Sequence, residues 1–182
     1  MARIGLKNFR YSILDENDNV TTPESLGKAV DCKVSIEKNS AELYADDGLA
    51  ESDYSFKKGT VDITVDEDAD TVFAELLGHE TSTDGEVIRN ANDVAPYVAI
   101  GRVLTKQVNG ERKYKVEYLC KVQFNEPNAD EKTKGESLEF GTSAISGVVH
   151  QKSNGDWSKA KTFATYEEAS TYLDGLLTQS GN

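Results

Sequence analysis

Cysteine is nearly missing from this 182-residue chain, with Cys32 and Cys120 the only two. No positively charged leader followed by an apolar stretch opens it. Together these argue against a disulfide framework and against secretion, and for synthesis in a reducing cytoplasm. Proline is almost as scarce, at three residues, so any open sheet edge would lack one of its usual blunting devices. No apolar run approaches the roughly 20 residues needed to cross a bilayer, which predicts a protein soluble when made and without a membrane partner. Basic residues are outnumbered 20 to 32, giving a net charge of −12, and between Asp31 and Asp70 twelve acids face four bases. Proteins that grip DNA present basic patches that displace counterions from phosphate. A static DNA clamp is therefore disfavoured, whereas slippery contact with DNA remains compatible.

Motifs that carry chemistry are missing too. Asp66, Asp68 and Asp70 have the one-three-five spacing of a calcium loop, but Thr71 stands where glycine is needed and Leu77 where the bidentate glutamate belongs. Acids at a helix start are the better reading. Asp15, Asn17 and Asn19 fail the same test and read as a solvated turn. His79, His150 and the two cysteines lack zinc-ligand spacing, and the cysteines fall on apolar strand faces. Neither Ser137 nor Ser143 sits in a recognisable nucleophile setting. There is no dinucleotide fingerprint and no phosphate loop. The sequence thus predicts no cofactor, no metal and no enzymatic activity.

What is present is strand patterning. Tyr114, Val116, Tyr118, Cys120, Val122 and Phe124 alternate with polar residues after Asn109-Gly110, and Val98 to Val108 precede that pair, which predicts a long central hairpin. Val34 and Ile36 mark an earlier strand, and Val61, Ile63 and Val65 another. Leu138 with Phe140, and Ile145 with Val148 and Val149, mark later ones, and Asn154-Gly155 reads as a further hairpin turn. Two helices interrupt them. One begins after Asp68, presents Val72, Phe73, Leu76 and Leu77, and stops at Gly78. The other carries a Thr165–Glu168 capping box and an apolar stripe from Ala169 to Leu177. The expected fold is mainly β, an antiparallel sandwich or partly open barrel with one or two flanking helices, as one domain over 1–182 with a flexible tail from 178.

The segment 41–58 is unusual because it joins two strands yet is long, acidic and rich in large apolar residues. Hairpin loops take two to five residues, and longer ones tend to be functional. Its composition predicts an extended docking arm in which Leu43, Tyr44, Leu49, Tyr54 and Phe56 are apolar anchors and Lys57 and Lys58 meet carboxylates of a neighbour. Trp157, the only tryptophan, reads as an interface anchor, a core residue or an edge cap.

The strings Leu43-Tyr44-Ala45-Asp46-Asp47, Leu49-Ala50-Glu51 and Gly59-Thr60-Val61 resemble the major tail protein of long-tailed phages. So do Ile4 to Tyr11, Ala74 to His79, Asp93 to Tyr97, Lys134 to Ser137 and Gly155 to Ser158. The resemblance spans nearly the whole length. It implies a sandwich or barrel with a flanking helix, assembled as hexameric rings that stack into a tube in the virion tail. It further implies contact with copies of itself, with a tape-measure protein and tail-end proteins, and transient passage of double-stranded DNA. On this reading the arm 41–58 reaches an adjacent ring. Strand alternation places Asp31, Lys33, Ser35 and Glu37 on one face and Asp62, Thr64 and Asp66 on another, making Asp31, Glu37, Asp62 and Asp66 expected wall acids that repel passing DNA over about a Debye length. The competing class is a monomeric β-sandwich binding module, for instance one for carbohydrate, which would carry an aromatic platform; a small hydrolase ranks far below both.

Overall fold

The Asn109-Gly110 pair forms the tight turn that its composition demands, with φ of 51° and 85° at the two residues. Only side chains tolerant of the left-handed region fit there. It joins two long strands of the computed structural model, which describes residues 2–39, 41–45, 48–53, 55–66, 70–127 and 142–178. In chain order these form β1 (Ala2–Leu14), β2 (Val20–Ser25), β3 (Ala29–Lys38), β4 (Ala41–Ala45), β5 (Gly48–Asp53) and β6 (Phe56–Val65). Then follow α1 (Asp70–Leu77), β7 (Glu80–Thr81), β8 (Val87–Ile88), β9 (Tyr97–Val108), β10 (Glu111–Asn125), β11 (Ser143–Val149), β12 (Ser158–Phe163) and α2 (Tyr166–Thr178).

The fold is mainly β, an open antiparallel sheet with two helices and not a closed barrel, in keeping with a sandwich flanked by helices. Its strand order is β2-β1-β9-β10-β11-β6-β3, with β12 also paired to β10. β10 is the hinge of the architecture. Its first half, Tyr114 to Leu119, pairs with β12, and its second half, Val122 to Asn125, pairs with β11. At the changeover the Cys120 N–H donates to the Trp157 carbonyl at 2.9 Å and the His150 N–H to the Lys121 carbonyl at 2.8 Å. The turn at Asn154-Gly155 therefore does not close a hairpin of paired strands, as its sequence had led one to expect. β11 and β12 each pair with β10 instead.

The same changeover corrects the expected single apolar face of β10. Leu119 lies opposite Ile100, but the next pair is Val122 opposite Val98, so β10 uses one residue more than β9. Because strand side chains alternate with period two, one extra residue turns all those beyond it to the other face. Val116, Tyr118 and Cys120 accordingly pack beneath α2 with Ala169, Leu173 and Leu177. Val122 and Phe124 enter a second core with Val61, Ile63, Val65, Ile145 and the α1 residues Phe73, Leu76 and Leu77. Leu119, apolar where the alternation calls for a polar residue, already belongs to this second core.

Both helices follow their sequence signals. In α2 the Thr165 hydroxyl accepts from the Glu168 N–H at 3.3 Å while the Glu168 carboxylate accepts from the Thr165 N–H at 3.4 Å, a reciprocal capping box. The helix runs to Thr178, whose hydroxyl donates back to the Asp174 carbonyl at 2.8 Å, so the expected flexible tail does not start at that residue. α1 ends at Gly78, with φ 76° and a space so tight that a Cβ would stand 2.3 Å from the Val94 carbonyl oxygen. Tyr11, fully buried, ties α1 to the sheet by donating to Glu75 at 2.6 Å. Burial, with that hydrogen bond and the Glu75 and Glu24 charges, pushes its phenol well above the ordinary range. Leu138, Phe140 and Ser137 lie outside the described residues.

Candidate assembly surface

The register of β3, β6 and β11 builds one polar face. Asp31 lies opposite Thr64, Lys33 opposite Asp62, Ser35 opposite Thr60 and Glu37 opposite Lys58. On the other flank of β6, Ser146 lies opposite Asp62 and Ala144 opposite Thr64. Residues directly opposite share a face, so the two acidic sets expected on separate faces occupy the same one. Asp31, Glu37 and Asp62 are exposed there, and Asp66 is exposed just beyond β6. This face is not uniformly acidic. Lys58 Nζ stands 3.8 Å from Glu37 Oε2, and Ser146 donates to Asp62 at 2.7 Å. Four acids against Lys33 and Lys58 leave a negative surplus on a surface whose other members are Ser35, Thr60, Thr64 and Ser146 with Ala144 and Val148.

The arm itself is a hairpin. β4 and β5 pair with each other, Ala41 opposite Asp53 and Leu43 opposite Glu51, with a register shift that brings Tyr44 opposite Leu49. They form a two-stranded sheet separate from the eight-stranded one. The hairpin lies between the end of β3 and the start of β6, beyond a rung in which the Asn39 N–H donates to the Ser55 carbonyl at 2.8 Å. Leu43, Tyr44 and Leu49 thus sit on its strands, and Tyr54, with Asp46 and Asp47, lies outside the described residues. Phe56, Lys57 and Lys58 belong to β6 and not to a loop. Phe56 stacks on Trp157 of the same chain, ring centres 5.2 Å apart and planes 11° from parallel. That contact places Trp157 against the core and gives Phe56 an internal partner.

The two ends of the eight-stranded sheet differ. β2 carries Pro23, which discourages further pairing. β3 is a ten-residue end strand without proline, and among the described residues its outer side pairs with no strand. Val30 on it is 57% exposed.

Two charged clusters were not legible as sites. Arg102 and Glu117 are cross-strand partners on β9 and β10. Nη2 of Arg102 donates to Glu117 at 2.7 Å and Lys115 donates to the other carboxylate oxygen at 2.6 Å. Desolvation acts to raise the Glu117 pKa, but the hydrogen bonds from Lys115 and Arg102 outweigh it and hold the carboxyl below its ordinary range. Counting equal steps back from the Asn109-Gly110 turn would have found this pair. His79 offered no such signal. Its Nδ1 meets Asp93 at 2.6 Å and its Nε2 meets Glu126, so it bridges the end of α1, the following loop and the end of β10.

The hydrogen bond with Asp93, aided by that with Glu126, raises the His79 pKa against the opposing effect of desolvation. A histidine whose folded pKa exceeds its unfolded value near 6.5 gives stability that is complete below that value and disappears as pH rises through the folded pKa. Thermal melts between pH 5.5 and 8.5 are expected to show the parent chain losing stability over this range relative to His79→Gln, which cannot gain the charge. A constant difference between the two across the range would refute the clamp.

No protein-family model matches the chain, and no curated protein matches its sequence. No helix among the described residues is long and apolar enough to cross a membrane.

Proposed function

We propose that this chain is a non-catalytic structural subunit that assembles with copies of itself into stacked hexameric rings, forming a virion tail tube through which double-stranded DNA passes. One observation carries the reading: a long, proline-free end strand stands beside a hairpin whose two strands, among the described residues, pair only with each other. An isolated two-stranded ribbon is marginal in water, and an open strand edge templates pairing with another chain. A single remedy serves both, namely that neighbouring copies cover the β3 edge and receive the hairpin. Ring closure removes edges as a barrel does. The resemblance to major tail proteins supports the same arrangement, with a tape-measure protein and tail-end proteins as further partners. The surplus of Asp31, Glu37, Asp62 and Asp66 over Lys33 and Lys58 suits a wall that repels phosphate, and the small hydroxyl side chains between them offer DNA no deep well.

The Asn39–Ser55 rung makes a clean experiment possible. Residues 40–54 can be replaced by Asn-Gly, which closes such a rung as a two-residue turn. Negative-stain images of the parent chain at high concentration are expected to show rings and tubes. The shortened chain should melt within about 4 °C of the parent, the shift that ~1 kcal/mol produces in a chain of this size, and should form no tubes. Tubes of normal length from the shortened chain would overturn the reading.

A further inference from the structure

Between β3 and the β10–β12 pair lies a cleft of about 540 Å³ whose walls include Cys32, Val34, Arg102, Lys115, Glu117 and Trp157. Arg102 is 8% exposed, and its five N–H donors are poorly used. Beyond the bond to Glu117, Nη1 donates to Cys32 Sγ at 2.5 Å, and Nε has no partner among the described residues. A thiol is a weak acceptor, so the guanidinium is a buried cation whose second contact a carboxylate would improve. Lys115 already shares Glu117 with Arg102, leaving two cations on one anion. Asp31 and Lys33, which also border the cleft, offset each other. A locally positive cleft in a chain of net charge −12 calls for an acidic occupant.

We propose that this cleft is the receptor for the β4–β5 hairpin of a second copy, which inserts an acidic side chain toward Arg102. The inference rests on the assembly reading and names where the hairpin binds. Charge complementarity argues for that occupant. Residues 40–55 contain five acids, Glu42, Asp46, Asp47, Glu51 and Asp53, and no lysine or arginine. The apolar side of the cleft, Val34, Ile36, Leu119 and Trp157, supplies a floor for the leucines and tyrosine carried by the same hairpin. Bidentate arginine–carboxylate pairing adds orientation as well as attraction.

Cys32, in the cleft wall, is a built-in reporter. One chain carries Cys120→Ala and keeps Cys32; a second, of different length, carries Cys32→Ala, Cys120→Ala and one of Glu42→Cys, Glu51→Cys or Asp53→Cys. The mixture is assembled, oxidised with copper(II)–phenanthroline and run without reductant. A disulfide joining the long and short chains for at least one of the three positions is the expected result. Tubes without any such cross-link would overturn the cleft as receptor while leaving the tail-tube reading standing. Failure of the parent chain to form anything larger than a monomer would remove both. A closed monomer from a single chain bearing Cys32 and Glu51→Cys, with no intermolecular product, would assign the cleft to the chain's own hairpin and refute the proposal. The unmodified protein gives an independent measure, since burial pushes the Cys32 thiol up to about 11. Its alkylation at alkaline pH should slow by at least about tenfold on assembly, because an incoming carboxylate and lost access both suppress the thiolate. Equal rates in monomer and tube would refute it.

Discussion

Leu173→Ala is expected to cost about 2–5 kcal/mol, the range for truncating a fully buried leucine whose surroundings cannot collapse. Leu173 is 0% exposed at the centre of the α2 stripe, and it lies on Gly101 of β9. A Cβ built at Gly101 would stand 2.1 Å from Leu173 Cδ1, so the helix sits on bare backbone and no side chain below can shift to fill the hole. The converse change, Gly101→Ala, forces the helix outward and is expected to cost roughly 1–3 kcal/mol by overpacking. The double variant tests the geometry. With Leu173 shortened, the new methyl at position 101 occupies vacated space, so Gly101→Ala with Leu173→Ala should be more stable than the sum of the single changes implies. Coupling between touching residues runs to about 0.5–3 kcal/mol. Urea titrations of the four proteins measure it, and strict additivity would show that Leu173 and Gly101 are not in contact.

Much of this architecture could be read from short-range chemistry. The Asn109-Gly110 turn, the Thr165–Glu168 box and the Gly78 stop depend on residues within a few positions of one another, and each appears as expected. The features that sequence concealed all depend on distant pairings. The one local mark of the extra residue of β10 between Leu119 and Val122 is Leu119 itself, an apolar residue at a polar position of the alternation, which packs in the same core as Val122 and Phe124. Strand alternation alone does not bring the acids of β3 and β6 together, because their shared face depends on antiparallel register, including irregularities at both ends of the β3–β6 pairing. Phe56 looked like part of an arm because Trp157, its partner, lies about a hundred residues away in sequence. His79 was legible only as the residue after a helix stop, since Asp93 and Glu126 reach it from two other elements. The hairpin's composition did mark 41–58 as special, although its strands had been expected as an extended loop.

Arg102→Met is expected to cost about 3 kcal/mol or more at pH 7, because removing one partner from a buried ion pair leaves an incompletely compensated charge. Methionine keeps most of the volume, so the loss is chiefly electrostatic. Lys115 still holds one oxygen of Glu117, but the Glu117 side chain is only 18% exposed, and desolvation then opposes a single bond. The pH dependence distinguishes this from a packing defect. In the parent, Glu117 has a depressed pKa, so its contribution is present above the unfolded value near 4.3 and is lost as pH falls through the folded value. In Arg102→Met that depression weakens, and protonation relieves the stranded charge, so the gap between variant and parent should narrow as pH falls from 7 to 4. Adding Glu117→Gln removes the stranded charge altogether. The double variant Arg102→Met with Glu117→Gln should therefore recover most of the loss at neutral pH, in keeping with buried pairs being costly to break yet replaceable as a unit. Chemical unfolding of parent, both single variants and the double at pH 7 and pH 4 decides it. A cost that stays the same at both pH values, or a double variant worse than either single one, would mean that Arg102 holds the sandwich through packing and not through its bond to Glu117.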